Sequence, residues 1–62
     1  MTLSEMVAEK VMEFSENYGS LPRVILVSES NYKALEPQTT RGFLIGCELR
    51  PSVKLIHEIL CF

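Results

Sequence analysis

Tyr18-Gly19-Ser20-Leu21-Pro22-Arg23-Val24-Ile25-Leu26-Val27-Ser28 is the stretch on which the fold turns, because a helical repeat stops within it and a strand pattern starts. Upstream, residues 2–18 set Leu3, Met6, Val7, Val11, Phe14 and Tyr18 at steps of three and four, which gathers them on one face of an amphipathic helix. Thr2 followed by Glu5 has the spacing of a capping box, in which the hydroxyl accepts from an early backbone N–H and the carboxylate reaches back to the cap. Gly19 suits the left-handed residue that ends a helix. Pro22 then prevents the helix from resuming.

Downstream, residues 23–28 form a short run rich in valine and isoleucine that is apolar on both sides, the pattern of a central strand covered on both faces. Ser28 is placed to cap a short helix that sets Tyr32 and Leu35 on one side and ends at Pro37. Residues 37–40 are a polar loop without repeats. Residues 42–49 alternate, with Phe43, Ile45, Cys47 and Leu49 against Leu44, Gly46 and Glu48, which predicts a half-buried strand with Gly46 at a bulge or a close approach.

Residues 53–62 admit two readings. A helix segregates Lys54, His57, Glu58 and Cys61 from Val53, Leu55, Ile56, Ile59 and Leu60 better than a strand does. The Arg50-Pro51-Ser52 turn after a good strand and the β-tolerant ending favour a strand that closes a hairpin, and this is the reading adopted. The expected fold is one α+β domain over residues 1–62. Its N-terminal amphipathic helix packs on a small, mainly antiparallel sheet of about three strands, with a short second helix.

A chain of 62 residues buries only about 60% of its unfolded surface, so its core is thin and outside support is expected. Cys47 and Cys61 are too few for a disulfide framework, and no basic segment with an apolar stretch precedes a cleavage site. The thiols are therefore expected reduced and the protein cytoplasmic. Cys47, Cys61 and a lone His57 do not make a zinc box, so neither metal nor cofactor is expected. An apolar share of 47% supplies both a core and a contact surface, which points to a homo-oligomer or a subunit bound to a larger protein. A net charge of −2 gives no basic patch for nucleic acid or an anionic membrane. No apolar run approaches the roughly 20 residues that cross a bilayer.

The sequence holds no Gly-rich phosphate loop, paired catalytic acids or Cys-x-x-Cys motif, and Gly42 and Gly46 lie inside a strand pattern. Cys47 could be paired with His57 as thiol and imidazole, but nothing supplies an oxyanion site beside them, so a core thiol and an interfacial histidine are the better reading. No enzyme is expected. Glu5, Glu9, Glu13 and Glu16 form an acidic stripe on the outer helix face, by default a solvated one. Met12, Tyr18, Tyr32 and Phe62 are the candidate contact residues.

From Leu21 onward the order of elements resembles a segment of tailed-phage major capsid proteins. The residues concerned are Pro22, the apolar run 24–27, Tyr32, Leu35, the stretch 44–49 with Gly46, and Pro51. The resemblance implies a small phage or prophage product that uses this module for protein contacts, without catalytic residues. The expected function is thus a phage-type interaction or structural module that oligomerises or binds a larger protein. The alternative is a regulator that blocks a basic site with its acidic helix face.

Overall fold

A computed structural model of the chain describes residues 2–62. Helix α1 (Leu3–Tyr18) leads to strand β1 (Val24–Ser28) and helix α2 (Glu29–Leu35). A 3-10 turn (Glu36–Gln38) follows, then strands β2 (Phe43–Leu44), β3 (Cys47–Ser52) and β4 (Leu60–Cys61). The fold is α+β, as expected, with four strands in place of about three.

The caps predicted for both helices are present. The Glu5 N–H donates to Thr2 Oγ1 at 3.2 Å, and the Glu5 carboxylate accepts from the Thr2 hydroxyl at 3.0 Å and its N–H at 3.4 Å, completing the capping box. Gly19 closes α1 at φ 74°, with its N–H on the Ser15 carbonyl at 2.8 Å. Ser28 Oγ accepts from the Asn31 N–H at 3.2 Å and so starts α2. Pro37 falls in the 3-10 turn, which Thr39 ends with its N–H and hydroxyl both donating to the Glu36 carbonyl.

Both helices lie on one face of the sheet. Val7 and Val11 of α1 and Leu35 of α2 meet Ile25, Val27, Cys47, Leu49, Leu44 and Ile59 in a single core, with Leu3, Tyr32 and Cys61 packed against it. The buried stripe of α1 is narrower than its apolar periodicity. Phe14 is half-buried, while Met6 and Tyr18 are exposed.

The strand order is β2-β3-β1-β4. β1 is central, parallel to β3 with Ile25 opposite Leu49, and antiparallel to β4 with Leu26 opposite Leu60. The expected hairpin between residues 42–49 and 53–62 does not form. β4 pairs with β1 on the side away from β3, and of the last segment only Leu60 and Cys61 are strand. Residues 53–59, neither helix nor strand, carry the chain past β1 to its free side. The physical reason is that β1 is the most apolar strand, and pairing both its edges satisfies its backbone while keeping it in the middle.

The stretch 42–49 is likewise not one strand. Ile45 and Gly46 both have positive φ, 53° and 75°, and form a two-residue turn joining β2 to β3. The turn places Leu44 opposite Cys47, both buried, and leaves Phe43 and Ile45 exposed, so the expected alternation breaks at that point. No atom lies within 4 Å of where a Gly46 Cβ would sit, so Gly46 serves the turn and neither a bulge nor a close approach.

Candidate functional site

One face of the sheet is covered by the helices and the other is open. Strand alternation sends Ile25, Val27, Cys47, Leu49 and Cys61 to the helices and sends their neighbours the opposite way. The register arranges those neighbours in three rows across the sheet. Phe43, Glu48, Val24 and Phe62 make the first row, since Phe43 pairs with Glu48, Glu48 with Val24, and Val24 exchanges both backbone hydrogen bonds with Phe62 at 2.9 and 3.2 Å. Arg50, Leu26 and Leu60 make the second row, and Ser52 with Ser28 makes the third, at the end of the strands.

An open antiparallel or mixed sheet face ordinarily carries polar side chains. This one is apolar on β1, β2 and β4, while β3 turns Glu48, Arg50 and Ser52 to it, the first two joined in an ion pair between Arg50 Nε and the Glu48 carboxylate. Val24 and Leu26 are half-buried, while Phe43 and Phe62 are exposed to 47% and 59% at opposite ends of the first row. The double-sided apolar pattern of residues 23–28, read as a strand covered on both faces, is therefore covered on one face only.

The four expected contact residues do not form one patch. Phe62 is on the open face. Met12 and Tyr18 lie on α1 in the helix layer, 63% and 71% exposed, and the Tyr18 ring stands against Phe14 with centroids 4.5 Å apart. Tyr32, on α2, is half-buried against the core. Val24, Leu26, Phe43 and Leu60 were not singled out from the sequence. The signal for Val24 and Leu26 was the apolar parity of residues 23–28, whose meaning depends on how many layers the fold has, and Phe43 and Leu60 join them only through strand pairing.

The acidic stripe is exposed along α1, but its members differ. The Glu5 carboxylate is engaged in the helix cap. Glu9 and Glu13 line a shallow cleft of about 440 Å³ with Met6, Lys10, His57, Glu58, Ile59 and Leu60. Hydrogen bonds from its own N–H and from the Ile56 N–H, the latter at 3.1 Å, hold the Glu58 carboxyl below its ordinary value.

Cys47 is fully buried and its thiol donates to the Ile45 carbonyl at 3.5 Å, while His57 is exposed at the cleft. Burial raises both Cys47 and Cys61 above the ordinary thiol value, which disfavours the thiolate a nucleophile needs. Both cysteines are free. Among the described residues, no three His, Cys, Asp or Glu side chains converge closely enough to hold a metal ion, and no helix is long and apolar enough to cross a membrane.

No protein-family model, curated protein or solved structure matches this chain.

Proposed function

We propose that this chain is a small non-enzymatic interaction module, of phage type, that works by laying the open face of its sheet against another protein surface. The single observation that supports it is that face: the half-buried Val24 and Leu26 of β1 with the exposed Leu60 and Phe62 form an apolar patch where the helix layer is absent, and Phe43 stands across Glu48 from it. Soluble monomers seldom expose a contiguous apolar patch of this kind unless something covers it. A thin core adds to the case, since a second layer would complete the burial that a chain of 62 residues lacks. The capsid-like order of Pro22, Tyr32, Leu35, Gly46 and Pro51 supplies the phage setting of the proposal.

Leu26→Lys tests this reading, because it places a charge in the middle of the open face without entering the core. Association with itself or with a captured protein should be lost in the variant, with circular dichroism unchanged. Equal association of a folded Leu26→Lys protein would refute the proposal.

A second reading, a regulator that blocks a basic site, is supported by the convergence of Glu9 and Glu13 with Glu58 along a cleft that Lys10 and His57 also line. Glu9→Gln with Glu13→Gln and Glu58→Gln removes that charge and spares the capping role of Glu5. Undiminished binding to a basic target would remove this alternative.

A further inference from the structure

We infer that the open face docks on the same face of a second copy of this chain, about a two-fold axis that crosses the strands between the row of Glu48 and the row of Arg50. The inference rests on the interaction reading above and specifies its occupant. Glu48 and Arg50 are neighbours along one side of β3, two residues and so about 7 Å apart along the strand. Rotation about that axis lays β3 antiparallel over its own copy. Each Glu48 then meets the second copy's Arg50, and each Arg50 meets the second copy's Glu48.

The same operation sets apolar groups on apolar groups. β1 lies over β1, so Val24 of each copy faces the other's Leu26, and β4 lies over β4, so Leu60 of each faces the other's Phe62. Across β3, β1 and β4 the face is thus complementary to itself in charge and in hydrophobicity, which is the requirement for an isologous contact. It is also electrically neutral on a chain of net charge −2, so two copies meet there with the least repulsion. A strongly basic or acidic partner would find no matching field on it.

Size sets the strength. The chain's extents of 29 × 23 × 22 Å limit a flat contact to roughly 500 Å² per copy, or about 1,000 Å² in total, where specific interfaces begin. The dimer is therefore a concentration-dependent one that dissociates on dilution.

Sedimentation velocity over a series from about 1 µM to about 1 mM reads the association directly. The unaltered chain should shift from monomer to dimer across that range. Glu48→Arg and Arg50→Glu each bring like charges together across the axis and should weaken dimerisation about tenfold or more. The double variant Glu48→Arg with Arg50→Glu restores opposite charges at every contact and should recover the dimer. Circular dichroism melts establish that all three variants are folded, and both positions are outside the core.

Folded single variants that dimerise normally, or a folded double variant that fails to recover, would overturn the inference. So would a chain that stays monomeric throughout. In that last case Leu26→Lys separates the two levels: loss of a captured heterologous protein leaves the interaction reading standing without the two-fold dimer, and capture unchanged removes both.

Discussion

Leu44 and Cys47 stand directly opposite one another at the end of the β2–β3 hairpin, joined only by Ile45 and Gly46. Their burial against the helices holds the turn closed. It also holds Ile45, a β-branched residue, at φ 53°, where its Cβ crowds the backbone.

Ile45→Asn should therefore stabilise the protein. Asn tolerates the left-handed region and Asn-Gly is the favoured pair for such a turn, so a gain of about 1 kcal/mol is expected, or roughly 5 °C in Tm for a domain of this size. Ile45 is 47% exposed, so little burial is lost with it. A melt by circular dichroism decides the matter, and a lower Tm would show that the Ile45 side chain packs more than it strains.

Leu35 and Met12 should respond oppositely to truncation. Leu35, the last residue of α2, is fully buried, so Leu35→Ala removes buried volume from a thin core and should cost about 3 kcal/mol. Met12 stands largely in solvent, and Met12→Ala should change stability by less than about 0.5 kcal/mol. Urea titrations of the two variants give the comparison, and comparable losses would place Met12 in a contact of its own.

The two thiols should be protected to different degrees. Cys47 is inaccessible in the folded chain and Cys61 is partly open, so a disulfide reagent at neutral pH should modify Cys61 slowly and Cys47 only on unfolding. Both folded thiols titrate above the ordinary value of 9.0. The sign follows: their contribution to stability is complete below that value and is lost as the pH rises through the folded range. Rapid modification of Cys47 in a folded sample would contradict its place in the core.

Glu58 governs an acid effect of the opposite sense. Its folded carboxyl titrates below the ordinary 4.5, so the stabilisation is present above that value and fades as the pH falls through the folded one. Glu58→Gln lacks this dependence. The stability difference between the unaltered chain and the variant should shrink between about pH 6 and about pH 3, as thermal melts at each pH would reveal. A constant difference would mean that the hydrogen bond from the Ile56 N–H is not formed in solution.

Local features were legible in the sequence because they depend on neighbours a few residues apart. The Thr2–Glu5 box, the Gly19 stop and the Ser28 cap each involve backbone groups within four positions, and all three appear as expected. The strand at residues 24–28 was equally plain. The Ile45–Gly46 turn was missed because an isoleucine is a poor signal for positive φ, and the apolar alternation around it read as unbroken. The last segment was missed because its pairing partner is chosen by competition between strands far apart in the chain.

By itself, then, the sequence determined the α+β class, where both helices begin and end, and which strand is most apolar. Those properties are set by backbone sterics, local hydrogen bonds and side-chain transfer energies. Tertiary structure alone decided that β1 is central, that β3 runs parallel to it, and that both helices share one face. That last choice leaves Val24 and Leu26 on the uncovered side, because Val7 and Val11 of α1 and Leu35 of α2 bury themselves in the same core and so draw both helices to one face.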